Sequence, residues 1–186
     1  MKRLFIAIPL NLNNLAKQSI LEIQTQLSQN SIKWVSFDNL HLTLQFIGDT
    51  HENDIVSIIK ILDNLQEYFN KFEVQLSGLY TFGNRDNPNV LWTKWIDNNQ
   101  SKNLAKLLNE QISLMNNVKS NDKFIPHLTL GRIKRISDLS NFNEIISNNA
   151  NLSLGRYTID EIILFESKLK PTGPEYLTLH KIKAYK

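Results

Sequence analysis

The tetrapeptide His41-Leu42-Thr43-Leu44 recurs as His127-Leu128-Thr129-Leu130, and the fold is best understood from this repeat. The sequence has only four histidines, so half of them lie in identical settings. Leucine and threonine are compatible with a β-strand, where residues two apart project to the same face. Each copy would therefore present an imidazole and a hydroxyl on one face and two leucines towards a core. Two such strands facing one another would form a pocket with two acid–base groups and two hydroxyl donors.

The composition is that of a globular protein without cysteine chemistry. Of the 186 residues, 41% are hydrophobic and 21% are charged, which is ordinary, and the length predicts that residues 1–186 form a single domain. The absence of cysteine excludes disulfides, thiolate catalysis and thiolate zinc sites, and it predicts a reducing, cytoplasmic location. The net charge of +3 suits a phosphate-bearing ligand but is too small to indicate nucleic acid by itself.

The first residues superficially resemble a short signal peptide, because Met1-Lys2-Arg3 precedes an apolar run. No small-residue cleavage site follows, and Pro9 ends the run after a few residues. We predict a buried strand here instead. No stretch approaches the roughly 18 apolar residues that span a bilayer, so no membrane association is expected.

Strand and helix patterns alternate along the chain. Helical spacing of apolar residues predicts helices over 13–28, 53–69, 101–117 and 137–147, with Ser101 as a candidate N-cap. Apolar runs and alternation predict strands over 4–10, 32–35, 40–47, 72–79, 90–96, 127–133, 157–166 and 176–183. Residues 83–89 are predicted to be a polar loop, and 170–174 a turn between the last two strands, which would pair as a hairpin.

The spacing of the repeat predicts a duplicated fold. The two motif histidines are 86 positions apart, close to half of the chain. The strand–helix–strand–helix–strand order of the first half also recurs loosely in the second. We therefore predict an α+β, two-lobed pseudo-symmetric fold whose antiparallel sheets line a central cleft, with helices packed outside. Each lobe would contribute one motif strand to the cleft.

Two histidines in one pocket suit the hydrolysis of a phosphodiester. The ordinary pKa of histidine, about 6.5, allows one neutral base and one cationic acid near pH 7. The base would take a proton from the attacking water, and the acid would give one to the departing oxygen. The hydroxyls of Thr43 and Thr129 would donate hydrogen bonds to the non-bridging oxygens. Because the two motifs are identical, the residues alone leave the division of roles open.

Other uses of the histidines have less support. A zinc site needs three or four protein ligands, and each repeat supplies one good ligand, so we predict neither a metal nor a cofactor. His51 is expected to be an exposed loop residue and His180 a surface residue of the last strand. Neither has a ligand partner at a recognisable spacing. No Gly-x-Ser-x-Gly segment supports a serine nucleophile.

The paired His-x-Thr-x motifs resemble those of the two-histidine (2H) phosphoesterases. The resemblance is to the branch of RNA 2',3'-cyclic phosphodiesterases historically called 2'-5' RNA ligases (LigT-like). It covers nearly the whole chain, and its matching segments are 3–8, 34–35, 39–48, 90–92, 126–132, 166–167 and 173–176. Motifs, order and spacing agree together.

The resemblance implies hydrolysis of an RNA 2',3'-cyclic phosphate to a 2'-phosphate, with the bond to the 3' oxygen breaking. It implies that His41 is the proton donor to that oxygen and His127 the proton acceptor that activates water. Thr43 and Thr129 would hold the phosphate. The partners would be RNA ends bearing the cyclic phosphate, on tRNA fragments or as cyclic nucleotides, and the protein would be a monomer. Ligation forming 2'-5' linkages at the same site, or RNA-end binding without turnover, are the alternatives.

Three further expectations concern the surroundings of the motifs. Gln45 shares the strand face of His41 and Thr43, where relatives commonly carry lysine, so a charge is expected to be missing at the cleft edge. Arg132 has the opposite parity to Thr129 and, unless the strand bulges, is expected to point away from the phosphate. Four aromatic residues could stack on a nucleobase, but core packing is the favoured role for each: Phe5, Trp34, Trp92 and Tyr176.

Overall fold

The computed structural model describes residues 1–115, 124–171 and 173–185. Within them the strands are β1 (Lys2–Pro9), β2 (Ser31–Trp34), β3 (His41–Thr50), β4 (Phe72–Asn84), β5 (Asn87–Ile96), β6 (His127–Arg135), β7 (Ser153–Ile159), β8 (Glu161–Lys170) and β9 (Gly173–Lys183). The α-helices are α1 (Asn14–Gln26), α2 (Glu52–Leu65), α3 (Gln100–Ser113) and α4 (Leu139–Asn148). Short 3-10 helices cover Phe37–Asn39 and Gln66–Tyr68.

The strands form two antiparallel sheets, one for each lobe. The first has the order β3-β1-β8-β9, and the second has the order β2-β6-β5-β4-β7. If β2 is set aside, each sheet has four strands with a motif strand, β3 or β6, at one edge. This correspondence confirms the predicted α+β fold with two pseudo-symmetric lobes.

The helices pack against the sheets, and the apolar core joins both lobes. Helices α2 and α3 contact the four-stranded sheet, whereas α1 and α4 contact the five-stranded one. One continuous cluster of buried side chains includes Leu42 and Leu44 of β3 together with Leu128 and Leu130 of β6. The motif leucines are therefore core residues, as their parity predicted.

The lobes are not consecutive halves of the chain. The first sheet takes β1 and β3 from the N-terminal part and the hairpin of β8 and β9 from the C-terminal part. The second sheet takes β2 from the N-terminal part and then all strands from β4 to β7. Each sheet is therefore complete only with segments from both parts of the sequence.

The predicted strand over 157–166 is wrong, because it is two strands in different sheets. β7 ends at Ile159 and β8 begins at Glu161, so the chain crosses between lobes at Asp160. The carbonyl oxygen of Asp160 accepts a hydrogen bond from the N–H of Ala184 (2.8 Å), which fixes the crossover beside the end of β9. Residues with strong β preference lie on both sides of Asp160 and hide the break.

The predicted polar loop over 83–89 is also wrong, since strands β4 and β5 continue through it and only Arg85 and Asp86 form the turn. Gly83 adopts a left-handed φ of +107° at an irregularity in the pairing near Pro88, a conformation that glycine tolerates best. Cross-strand pairing in the long hairpin outweighs the poor strand preference of these polar residues.

The predicted cap of α3 is wrong as well. The helix begins at Gln100, after Asn99, and Ser101 is fully buried. The N–H of Ser101 donates to Asp97 Oδ2 (2.8 Å), which also accepts a hydrogen bond from Trp95 Nε1 (3.0 Å). A carboxylate before the helix thus takes the role expected of the serine hydroxyl. Residues 116–117 of the predicted helix lie outside the described residues.

Candidate active site

The two motif strands bring their polar side chains to one cavity of about 590 Å³. His41 and Thr43 of β3 and His127 and Thr129 of β6 all line it. Strand alternation explains this, because each leucine between these residues points to the core. The structure therefore brings together all four residues that the repeat predicted.

Each histidine is oriented by the carbonyl group two residues before it. His41 Nδ1 lies 2.7 Å from the Asn39 carbonyl oxygen, and His127 Nδ1 lies 2.7 Å from that of Ile125. A carbonyl oxygen can only accept, so Nδ1 carries the proton in both rings. The other nitrogen, Nε2, is then the one that exchanges a proton with a ligand.

Arg132 faces the cavity, so the prediction that pointed it away from the phosphate is wrong. The pairing of β6 with β5 is irregular, because Leu91 pairs with Gly131 whereas Trp92 pairs with Thr129, which leaves one extra residue in β6. A β-bulge of this kind reverses the parity of the residues that follow. Arg132 thereby joins the face of Thr129 and lines the cavity.

Gln45 does not face the cleft, and this prediction is also wrong. An equivalent irregularity occurs in β3, because Ile6 pairs with Gln45 whereas Ala7 pairs with Thr43. The bulge turns Gln45 into the core, where it is 1% exposed, and places Phe46 in the cavity lining. The matched bulges put Phe46 and Arg132 at equivalent positions, three residues after each motif threonine.

Aromatic rings surround both imidazoles. The ring centroids of Phe5 and Tyr176 lie 5.1 and 5.3 Å from that of His41. The centroids of Phe82 and Trp92 lie 4.9 and 5.8 Å from that of His127. These rings exclude water from one side of each imidazole and restrict its rotation.

The four aromatic residues predicted to favour the core divide into two groups. Phe5 and Trp92 are buried, at 4% and 8% exposure. Trp34 and Tyr176 are half-buried and line the cavity, and Phe5 also contributes to the lining. Burial raises the pKa of Tyr176 above its ordinary value, against the lowering effect of the Arg132 charge, so its hydroxyl stays protonated near pH 7.

The surroundings of both imidazoles favour the neutral form. Burial is the largest cause that lowers the pKa of His41, and the hydrogen bond to the Asn39 carbonyl raises it. The charges of His127 and Arg132 lower the pKa further. Burial likewise lowers the pKa of His127, together with Arg132 and against the hydrogen bond to Ile125. An anion bound between them would offset these repulsions and favour the return of one proton.

The other two histidines lie outside the cavity. His51 is exposed and directly precedes α2, as its expected loop position requires. His180 lies on β9, where its Nε2 is 2.7 Å from Asp63 Oδ1. In the described ranges, no group of three or more His, Cys, Asp or Glu side chains converges in a way that could hold a metal ion.

Sequence reasoning missed Phe46 as a cleft residue and placed Arg132 wrongly. Both errors come from applying a period of two across a bulge. One signal was available in the sequence: Gly131 follows the second motif, and a glycine in a strand often marks a bulge. No comparable glycine marks the bulge in β3, where Leu44 and Gln45 occupy the equivalent positions.

The fold and the site together define a phosphoesterase with one histidine–threonine pair in each lobe. The model of the family described as LigT like Phosphoesterase matches residues 10–92 and 96–176, one motif in each segment. The chain belongs to this family.

Proteins named RNA 2',3'-cyclic phosphodiesterase are among its relatives. The protein from Methanocaldococcus jannaschii is 30% identical over 174 residues, which are 94% of this chain and 96% of that protein. The one from Aquifex aeolicus is 32% identical, covering 80% of each chain. The one from Thermotoga maritima is 29% identical, covering 96% of this chain and 94% of its own.

Solved structures share the fold. A crystal structure from Thermus thermophilus has a TM-score of 0.80 and 25% identity, and the match covers 97% of each chain. The crystal structure of E. coli LigT complexed with 3'-AMP has a TM-score of 0.75 and 22% identity, covering 100% of this chain and 99% of that one. At that identity the second likeness bears on the fold alone. Separately, none of the helices described here is long and apolar enough to cross a membrane.

Proposed function

We propose that this chain is an RNA 2',3'-cyclic phosphodiesterase that opens a terminal cyclic phosphate to a 2'-phosphate. The observation that carries this function is the pair of equivalently oriented imidazoles, each beside a threonine, in one cavity. Relatives named for this activity match the chain over most of its length. The substrate is accordingly an RNA end that bears the cyclic phosphate.

The reaction divides between the two imidazoles. Nε2 of His127 takes a proton from water as the water oxygen forms a bond to phosphorus. The bond from phosphorus to the 3' oxygen breaks, and Nε2 of His41 gives its proton to that oxygen. The 2' oxygen keeps the phosphate, and proton exchange with solvent restores the starting states. This order of roles follows from the family resemblance, since the two rings have the same carbonyl support.

Three groups are proposed to stabilise the charge on phosphate. The hydroxyls of Thr43 and Thr129 donate to the non-bridging oxygens, and the Arg132 guanidinium lies on the same face as Thr129. With the imidazolium, they supply the positive environment that a metal ion supplies in other phosphoesterases. We therefore expect activity without an added metal.

We propose that substrate binding favours protonation of the histidine that acts as the acid. Burial and the Arg132 charge lower the pKa of both His41 and His127, which favours the neutral form of each ring near pH 7. A phosphodiester carries one negative charge, and its arrival between the rings favours protonation of one of them. The productive state therefore forms on binding.

Residues 1–186 are proposed to act as one domain and as a monomer. Both motif strands belong to one chain, and each sheet uses segments from both parts of the sequence. No second copy is needed to complete the cavity as described. Size-exclusion chromatography with light scattering would measure the mass of the active species.

The test is the fate of an RNA oligomer that ends in a 2',3'-cyclic phosphate, incubated with the protein in EDTA. Appearance of a 2'-phosphate end supports the proposal, and loss of activity on chelation contradicts the metal-independent mechanism. Adding a 5'-hydroxyl RNA tests the ligation alternative, which predicts a 2'-5' linked product at the same site. Tight binding of the oligomer without any product would favour an RNA-end binding module.

A further inference from the structure

The aromatic rings beside the two histidines follow the pseudo-symmetry of the lobes. Counted from the motif strand and with β2 set aside, β1 and β8 of the first sheet correspond to β5 and β4 of the second. Phe5 of β1 stacks on Phe165 of β8, with ring centroids 5.2 Å apart. Trp92 of β5 stacks on Phe82 of β4 in the same way, at 4.5 Å. Each lobe thus places one stacked pair of rings beside its own histidine.

Tyr176 breaks this symmetry. It lies on β9, which corresponds to β7 in the second sheet, and its ring contacts that of His41. The structure describes all of β7, and none of its residues lines the cavity or makes a ring contact with His127. The site therefore has a tyrosine beside one histidine and no equivalent from β7 beside the other.

Tyr176 is held in a fixed position against His41. The two rings are nearly perpendicular, at 89° with centroids 5.3 Å apart, and the ring of Tyr176 also lies 5.0 Å from that of Phe5. Two residues earlier on the chain, the Pro174 carbonyl oxygen accepts a hydrogen bond from Asn39 Nδ2 (3.3 Å). Ring contacts and strand anchoring together confine the phenol hydroxyl to a small region, as a preorganised catalytic group requires.

The hydroxyl of Tyr176 is available to a ligand. Two other half-buried tyrosines, Tyr80 and Tyr157, donate to the carbonyl oxygens of Ala150 (3.2 Å) and Leu154 (2.6 Å). Tyr176 lines the cavity, and within the described part of the chain its hydroxyl has no hydrogen-bond partner. Because a tyrosine hydroxyl that is removed from bulk water usually has a partner, the cavity is where this donor is used.

Tyr176 and Arg132 face the same part of the cavity from opposite lobes. Both line it, and the Arg132 charge lowers the pKa of Tyr176 against the larger raising effect of burial. A charge has such an effect only on a group that lies near it. An anion between the motif strands would therefore have the guanidinium on one side and the phenol hydroxyl on the other.

The first lobe lacks a polar side chain at the position that Arg132 occupies in the second. Arg132 follows Thr129 by three residues, and the equivalent residue after Thr43 is Phe46, whose side chain has no hydrogen-bond donor. The first motif strand thus brings one hydroxyl to the phosphate without the additional group that the second strand provides. Tyr176 can supply that donor from β9.

We propose that the Tyr176 hydroxyl is a further catalytic group, which donates a hydrogen bond to a non-bridging oxygen of the reacting phosphate. The inference rests on the proposed function, since it assumes that the phosphate reacts between His41 and His127. A donor that is already in place stabilises charge on the phosphate without reorganisation during the reaction. Tyr176 thereby does for the first lobe what Arg132 does for the second.

The first test is Tyr176→Phe, which keeps the ring against His41 and removes the donor. With an RNA oligomer that ends in a 2',3'-cyclic phosphate, kcat/KM should fall about 10- to 100-fold, as expected for a lost hydrogen bond to a charged group. The matched control is Tyr157→Phe on β7, whose hydroxyl donates to a backbone carbonyl outside the cavity and which should keep the wild-type kcat/KM. A loss below about threefold in Tyr176→Phe, or an equal loss in the control, would overturn the inference.

The second test distinguishes a direct contact from an indirect effect on His41. In the two diastereomers of a terminal 2',3'-cyclic phosphorothioate, sulfur replaces one or the other non-bridging oxygen and accepts hydrogen bonds poorly. The loss caused by Tyr176→Phe should persist on one diastereomer and shrink to less than about threefold on the other. Equal losses on both would overturn the inference, although formation of a 2'-phosphate by the wild type would still support the proposed function. No 2'-phosphate from the wild type would overturn both.

Discussion

Asn39 supports the site in two ways, and Ile125 matches only the first of them. Its carbonyl oxygen accepts from His41 Nδ1, and its side-chain Nδ2 donates to the carbonyl oxygen of Pro174 (3.3 Å). The start of β9 is thereby tied to the segment that orients His41. The corresponding residue before His127 has an apolar side chain. The two halves of the site are therefore equivalent in ring orientation but unequal in support.

Replacement of Arg132 by glutamine should move the pH profile. The charge of Arg132 lowers the pKa of both imidazoles, so its removal raises both. The acid must be protonated, and the basic limb of kcat/KM should therefore shift to higher pH. The maximum should fall by about 10²–10³-fold, as for other lost charge-stabilising donors. Measuring kcat/KM from pH 5 to 9 checks both effects.

The control for this variant is Arg132→Lys, which keeps the positive charge. It should retain the wild-type position of the basic limb, even if loss of the guanidinium fork lowers the rate. The proposed effect of Arg132 is contradicted if Arg132→Gln leaves the basic limb of the kcat/KM profile in place or shifts it to lower pH.

Sequence reasoning identified the four central residues because the His-x-Thr spacing needs only local strand alternation. His41, Thr43, His127 and Thr129 all precede the bulges in their strands. Gln45 and Arg132 follow them, and there the same alternation gives the wrong face. A bulge depends on pairing with a neighbouring strand, which a single sequence does not display.

At the scale of the elements, the close pairing of β2 with β6 depends on Gly131. A Cβ at this position would lie 2.8 Å from Ile32 Cγ2 and 3.3 Å from Trp34 Cε3. The side chain of Ile32 is branched close to the backbone and gives way poorly, so β2 must shift. The glycine therefore permits the close pairing of β2 with β6 that positions Lys33 and Arg132.

Substitution Gly131→Ala should consequently cost both stability and activity. Overpacking of this kind costs about 1–3 kcal/mol in the free energy of unfolding. A displaced Arg132 should also lower kcat/KM by roughly tenfold, which corresponds to about 1.4 kcal/mol. Urea denaturation and steady-state kinetics measure the two effects. Wild-type stability and kinetics in this variant would show that the space between β2 and β6 accommodates a side chain.

The helices were predictable from sequence and several strand limits were not. Apolar residues at helical spacing located all four helices to within a few residues. The end predicted for α3 cannot be compared fully, because residues 116–117 lie outside the described residues. The crossover at Asp160 and the long β4–β5 hairpin were missed. Both depend on which strand pairs with which, and pairing overrides the local preferences of polar residues.

At the scale of the whole molecule, the two half-buried imidazoles make the free energy of unfolding depend on pH. The pKa of each is lowered in the folded state, so below about pH 6.5 the unfolded chain binds more protons than the folded one. The free energy of unfolding should therefore fall as the pH drops through this region. Above it both states are neutral at these positions, and the effect disappears.

The measurement is urea denaturation at pH 7.5 and pH 5.5, with wild type and the variant His41→Gln/His127→Gln. Carboxylates contribute equally to both proteins, so the difference between them isolates the imidazoles. The variant should lose less stability on acidification than the wild type does. An equal loss in both proteins would mean that these rings titrate normally in the fold.

The two-lobed architecture followed from the repeat, whereas its interleaving did not. Half-length spacing indicates a duplication, and the family model also matches in two segments. Spacing does not indicate that β8 and β9 return to the sheet of β1 and β3. That assignment depends on long-range pairing, and it is what brings Tyr176 and the start of β9 to His41.

The division of labour between His41 and His127 is tested most directly by the leaving group. In a cyclic phosphorothiolate, sulfur replaces the 3' oxygen, and the departing thiolate needs no proton. On the ordinary oxygen substrate, His41→Ala and His127→Ala should each lose about 10²–10⁴-fold in kcat, the usual contribution of one acid or base. On the sulfur substrate, the kcat of His41→Ala should lie within about tenfold of the wild-type kcat for the same substrate, while the kcat of His127→Ala stays low. Recovery of His127→Ala instead would show that the roles are reversed, and recovery of both or neither variant would contradict the two-histidine mechanism.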